Sequence, residues 1–339
     1  MITPRTRRAL RRTLRRQLLP KLGVVMFGLL VVGALCAPVL TPHDPTTQQL
    51  DEKLRPPIGF SGQTEQTSSQ LVDGEVKTVT ETTTVSATWT YPLGTDALGR
   101  DMLSRVLYGA RTSLLVGILG TAVAAIIGVP TGLIAGYYGG RIDDALMRSG
   151  DVMLAFPSLV LAVALVGLFG TATVRIPDPW VVLGITPSMP SHVVLPGTVV
   201  LVVGLVNWVW LARIARGEAM GLANAPYVLA ARSVGASDRY IIRHHVLPNA
   251  LTPILVMATI QVATIVLLES ALAFLGFTGT TLSWGFDVSQ GRDLLSTAWW
   301  VTTIPGFAIV FAVFAVNLIG DWFRDALDPG IDAGGGGGP

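Results

Sequence analysis

The chain has 339 residues, of which 50% are hydrophobic and only 14% are charged. Soluble domains carry about a quarter charged residues, so too few charges are present to coat a water-facing surface, and lipid must cover much of this protein. The net charge is +2 and the single cysteine is Cys36, which excludes an intrachain disulfide and argues against a cysteine-based metal site. No nucleic-acid partner is expected.

Arg5, Arg7, Arg8, Arg11, Arg12, Arg15, Arg16 and Lys21 precede the first apolar stretch. Leu10, Leu14 and Leu18 recur among them every four residues, which predicts a cytoplasmic amphipathic helix over 1–21, lying on the inner membrane surface. A membrane-spanning helix needs ~20 mostly apolar residues. Six stretches come close, at 22–40, 113–137, 152–170, 193–212, 250–277 and 303–320. Their prolines (Pro130, Pro157, Pro196, Pro253, Pro305) are tolerable in membrane helices, where neighbours satisfy the freed backbone groups. A cleaved signal peptide is the alternative for the first stretch, with Ala34 and Cys36 small enough to flank a cleavage site. The apolar run continues to Leu40, past that point, and favours an uncleaved first span.

Basic residues near a span are retained on the cytoplasmic side, which places the N-terminus inside. Six crossings then return the C-terminus to the inside. The loop at 213–248 also falls inside and carries Arg213, Arg216, Arg232, Arg239 and Arg243, as the charge rule requires. The segment 41–112 falls outside, although it holds Arg100, Arg105 and Arg111. Within it, 61–90 is rich in Thr, Ser, Gln and Glu. Asp73-Gly74 between Leu71-Val72 and Val76 is a hairpin signal. Val85, Ala87, Trp89 and Tyr91 alternate with polar residues, a strand period. A small β insert is expected there, with a disordered loop as the alternative. A five-helix core follows over 113–321, then a cytoplasmic tail over 322–339 whose glycine run, Gly334–Gly338, carries no structural signal. The expected fold class is all-α and polytopic, with about six transmembrane helices.

The chemistry of the chain is sparse. A Walker loop needs a lysine in a glycine-rich turn, and the last lysine is Lys77, so no nucleotide loop is present. No HExxH motif occurs, and no serine and histidine can be paired from sequence. Neither a catalytic residue nor a metal site is expected. The adjacent His244 and His245 lie in an arginine-rich loop without nearby carboxylates and read as a solvated basic face.

The informative segment is the inside loop 218–248. Tyr227 to Val234 suits a short helix, with Gly235 as its C-terminal stop. Ser237 and Asp238 start a second helix, expected to end near Pro248. Ala230, Ala231 and Gly235 permit close backbone approach. Such a rigid protrusion suits the groove of a cytosolic partner. An ordinary amphipathic connection is the plainer reading. The residues assigned to this coupling loop are Tyr227, Leu229, Ala230, Ala231, Gly235, Ala236, Ser237, Asp238, Leu247 and Pro248.

Burying an ionisable group among lipid costs ~2.5 kcal/mol or more, so Glu269 should face the bundle or a cavity. Glu269, Ser270, Gln261, Asn207 and Asn317 are candidates for a translocation path, with helix–helix hydrogen bonding as the alternative for each. Asp151 and Asp321 are expected near the inner surface, capping helices or pairing with arginines.

These residues carry a resemblance. The loop resembles the EAA loop of permease subunits of binding-protein-dependent ABC importers, matched by Ala230-Ala231, Gly235 and Leu247-Pro248. Leu229 stands where that pattern has glutamate. Further matches follow in order: Pro92-Leu-Gly-Thr-Asp96, Leu98-Gly-Arg-Asp101, Tyr108-Gly-Ala-Arg111-Thr-Ser113, Gly136-Tyr-Tyr-Gly-Gly140, Asp151 with Leu154-Ala-Phe-Pro157, Glu269 to Gly276, Ser283-Trp-Gly285, and Asn317 to Pro329. They resemble the second-chain type of the dipeptide/oligopeptide/nickel subfamily, with 61–90 as an apparent insertion. The resemblance implies a type I importer of the cell membrane. It would pair a paralogous permease chain with this one, above two cytosolic ATPase subunits that hold ATP and Mg, and below an extracellular substrate-binding protein. Its substrates would be di- or oligopeptides, nickel chelates, glutathione or oligosaccharides. A homodimeric secondary carrier is the first alternative, and a membrane enzyme or channel the second.

Overall fold

The structure is a computed structural model that describes residues 18–72, 75–279 and 281–327. The arginine cluster before Leu18, the Asp73-Gly74 turn and the glycine tail lie outside the described residues. Five helices are long and apolar enough to cross a membrane, and a bent pair brings the number to six. The first, α1 (Leu18–Leu35), has 18 residues. At 1.5 Å per residue it is about 27 Å long, close to the thickness of a hydrocarbon core. A short α2 (Ala37–Leu40) follows it, with proline in the first turn.

A two-stranded antiparallel hairpin then stands alone as a sheet, β1 (Ser61–Val72) and β2 (Glu75–Ser86), with Ser61 opposite Ser86 and Val72 opposite Glu75. The strand stops at Ser86, so the alternation at Ala87, Trp89 and Tyr91 is not strand. Tyr91 instead is buried and donates to Gln49 Oε1 at 2.6 Å.

Helix α3 (Met102–Tyr138) begins well before the apolar stretch at 113. Its N-cap is Asp101, whose carboxylate accepts from the Leu103 and Ser104 amides. The stretch 152–170 is not one straight helix. It divides between α4 (Gly140–Leu154) and α5 (Ser158–Phe169), which meet at 88°. Pro157 at the break lacks an amide hydrogen and disfavours helix in the residue before it.

A hairpin of β3 (Thr173–Pro177) and β4 (His192–Pro196), bridged by the short α6 (Pro179–Val182), leads into α7 (Gly197–Ala223). After the loop come α8 (Pro226–Ser233), α9 (Asp238–Ile241), a π turn at Ile242–Val246, and α10 (Leu247–Phe274). The second loop helix therefore does not end near Pro248. Proline there occupies the first turn of α10, where its missing amide leaves no bond unmade. Helix α11 (Trp284–Gly291) and helix α12 (Trp300–Leu327) complete the chain.

The bundle is organised around α3 and α7. Gly128, Gly132 and Gly136 share one face of α3, and a Cβ on any of them would collide with the carbonyl oxygens of Trp208, Ala212 and Arg216. On α7, Ala212, Ala215 and Ala219 are fully buried. Small residues at intervals of four let two membrane helices approach backbone to backbone, which replaces the hydrophobic driving force that lipid removes. A Gly132→Ile substitution should therefore fail by overpacking, at about 1–3 kcal/mol or more. Thermal unfolding of the purified protein should show a lower midpoint for it. Gly217→Ala on α7, where a Cβ meets nothing within 4 Å, should unfold like the parent.

Candidate functional site

The loop between α7 and α10 is built by local rules. Pro226 presets the first turn of α8. The helix stops in a Schellman turn: the Gly235 amide donates to Arg232 O at 3.0 Å and the Ala236 amide to Ala231 O at 3.1 Å. Gly235 holds φ +85°, a left-handed conformation that side chains strain. Ser237 is extended and α9 starts at Asp238.

The loop is packed firmly on the bundle. Val228, Ile241 and Val246 are fully buried in one apolar cluster with Leu133 and Tyr137 of α3 and Ala219 and Ala223 of α7. The Tyr137 hydroxyl donates to Asp238 Oδ1 at 2.8 Å and accepts from Arg232 Nη2 at 3.0 Å. The Arg232 guanidinium also lies 5.4 Å from the centre of the Tyr137 ring. One tyrosine thus ties both loop helices to α3.

The opposite face is open. Tyr227, Leu229, Ala230, Val234 and Tyr240 are exposed, Val234 by 85%. Ala231, Ala236 and Leu247 are half-buried, and Ser237 and Pro248 are exposed. Tyr240 stacks on His244 with ring centres 4.3 Å apart, so the histidine pair belongs to an aromatic cluster on this loop.

The polar residues inside the spans divide into two kinds. Asn207 Nδ2 donates to Val203 O of its own helix at 2.8 Å, and Gln261 Nε2 donates to Asn207 O at 3.3 Å. The second bond joins α7 to α10. Asn317 is half-buried on α12. Glu269 is fully buried. Its Oε2 accepts from Ser270 at 3.4 Å, the hydroxyls of Ser113 and Ser283 lie beside it, and its Oε1 has no partner. Ser283 caps α11, so the carboxyl group sits beneath that helix's N-terminus.

Arg100, Arg105 and Arg111, the arginines that the charge rule did not fit, are paired. Arg105 is 1% exposed, pairs with Asp287 of α11, and donates to Pro45 O at 3.1 Å. Arg100 pairs with Asp96 at 2.6 Å, and Arg111 with Asp178. At the inner end Arg216 pairs with Asp143 and Arg213 with Asp151, the latter at 2.8 Å and exposed, while Asp321 is exposed.

Residues 128–333 match the family described as binding-protein-dependent transport system inner membrane component. The chain belongs to that family. Residues 5–57 of the permease match the N-terminal transmembrane domain of oligopeptide transport permease C. The permease is 36% identical over 311 residues to the di/tripeptide transport system permease protein DppC of Pseudomonas aeruginosa, covering 91% of this chain and 87% of that one. It is 34% identical over 321 residues to the dipeptide transport system permease protein DppC of Bacillus subtilis, covering 94% and 84%. The fold is similar to a chain of the inward-facing MetNI methionine ABC transporter, with a TM-score of 0.51 at 18% identity over 67% of this chain and 98% of that one. The permease is therefore a membrane translocation subunit of an ABC importer. Membership sets aside the carrier, enzyme and channel alternatives.

Several residues of the permease escaped the sequence reading. Tyr137 lay inside a matched motif, Gly136-Tyr-Tyr-Gly-Gly140, yet nothing in its spacing announced bonds to Arg232 and Asp238. Arg105 read as a breach of the charge rule, because its partner Asp287 is 182 residues away. Leu229, in the glutamate position, faces outward and is 45% exposed, on the side of the loop that is open to a partner.

Glu269 bears on α11 as much as on any path. Glu269→Gln retains hydrogen-bonding capacity, whereas Glu269→Leu removes it. If the carboxyl group serves packing, Gln should keep assembly and uptake and Leu should lose assembly. Uptake normalised to intact complex should then stay near the parent value for Gln, and a selective loss of uptake with Gln would place the charge on the path.

Proposed function

We propose that the permease moves di- or oligopeptides, or a related small solute, delivered by an extracellular binding protein, and that ATP is hydrolysed on separate cytosolic chains docked at the 218–248 loop. The feature that carries the docking proposal is the loop's two-sidedness. One face is pinned to α3 and α7 by Val228, Ile241 and Tyr137, and the other presents Tyr227, Leu229, Ala230, Val234 and Tyr240. A rigid apolar projection of this size suits a partner's groove. The cargo proposal rests on the peptide permeases to which most of the chain is similar. A paralogous permease chain would complete the pore, since many transporters build their site between two related halves.

The docking cycle would act by rigid-body switching: closure of the partners moves the loop, and the loop tilts the helices attached to it. Gly235→Val should distort the Schellman turn, because a β-branched residue is strained at φ +85°. Ala230→Arg is the cleaner block on close approach, because Ala230 is exposed while Ala231 is half-buried against the bundle. Both variants should reach the membrane and lose ATP-dependent uptake together with co-purifying ATPase. Leu229→Ala should weaken both moderately. Full uptake in Gly235→Val and Ala230→Arg would remove the loop from the coupling role.

The proposed orientation, with both termini and the loop in the cytoplasm, is supported by the basic N-terminus and the arginine-rich loop. In a Cys36→Ala background, an impermeant thiol reagent added to whole cells should label Gln48→Cys and spare Ser237→Cys. The opposite pattern would invert the topology.

A further inference from the structure

The excursion between α5 and α7 carries a surface that the transport reading does not use. Residues 179–190, Pro-Trp-Val-Val-Leu-Gly-Ile-Thr-Pro-Ser-Met-Pro, contain no charged side chain. Val182, Leu183 and Ile185 stand 70%, 72% and 53% exposed at its tip. Uncharged apolar side chains displayed this far into water are unfavourable relative to burial.

The excursion is held in a defined place. Asp178 is fully buried, pairs with Arg111 of α3 and caps α6 by accepting from the Trp180 amide at 3.0 Å. The Trp180 indole N–H donates to Leu35 O at 2.7 Å. Leu35 is the last residue of α1, so its carbonyl is among those a helix end leaves without an intrahelical partner. Thr41, just past α2, donates to Met189 Sδ at 3.8 Å. Two bonds therefore fix the excursion at the level of the C-terminal end of α1.

The apolar surface of α1 continues into it. Val25, Leu29, Val32 and Leu35 are exposed along α1, followed by Val39 and Leu40 of α2 and then by the tip. Tryptophan at this level suits the membrane–water boundary, where its ring is apolar and its N–H is satisfied. We propose that the 179–190 excursion is a membrane-interface anchor, with Val182, Leu183 and Ile185 seated in the lipid leaflet around the outer end of α1. The occupant is lipid rather than a soluble receptor because the tip lacks charge and extends the face that α1 shows to the bilayer. The claim concerns depth and holds whichever side faces the cytoplasm.

Label depth tests it. Leu183→Cys and, separately, Val182→Cys are made in Cys36→Ala and carry a small environment-sensitive fluorophore, and the assembled complex is reconstituted in phospholipid vesicles. Phospholipids brominated high on the acyl chain should cause loss of emission at both positions, and aqueous iodide should cause little. Strong loss with iodide and none with the brominated lipid would overturn the proposal in favour of a water-exposed loop. Protection from both quenchers would also overturn it, by showing that a protein chain covers the tip. Both positions are exposed, so neither substitution threatens folding.

Discussion

The contact between α3 and α7 is the constraint on which the rest of the permease depends. Lipid is as apolar as leucine, so nothing squeezes two membrane helices together in the way water does. Close van der Waals approach has to do it, and close approach requires that side chains be missing. The glycine face of α3 against the buried alanines of α7 supplies that condition over about two turns. The 218–248 loop is then hung on this pair. The loop's buried residues pack on the same two helices, and Tyr137 sits at the end of the same α3 that carries the glycines.

A second economy governs charge. The arginines at the N-terminal end of α3 and just before it each have a carboxylate within reach. Arg105, Arg100 and Arg111 each have an aspartate partner from another part of the fold or from the same turn. Buried pairs of this kind return little net stability, because desolvation offsets most of the attraction. Their consequence is geometric: Asp287 holds α11 to α3, and Asp178 holds the 179–190 excursion to α3.

Much of this was legible from the chain alone, and the reason is physical. Apolar runs announce spans because lipid demands them, and Gly235 announced the loop's turn because few other residues accept a positive φ. The family pattern around Ala230, Gly235 and Pro248 placed the loop correctly between two spans. What escaped was whatever depends on a distant partner. The break before Pro157 bends by 88°, an angle that proline permits and only neighbouring helices select. Helix α3 runs back to Met102 because Asp101 caps it, even though its first turns are polar. The second loop helix continues through Pro248 because a proline is harmless in a first turn, and the π turn before it absorbs the mismatch. Glu269 was visible as an oddity, yet the three serines around it come from different elements and left no joint signature.

Through the π turn, α9 and α10 form one continuous helical run from Asp238 to Phe274, 37 residues in all. At 1.5 Å per residue it is about 55 Å long, so a tilt of about 10° shifts one end by roughly 10 Å relative to the other. Asp238 lies at one extremity, bonded to Tyr137, and Glu269 lies near the other, beneath α11. The helix is a lever with one end in the loop and the other beneath α11, and its departures from the regular ladder, the π turn at Ile242–Val246 and Pro253, both lie near the loop end.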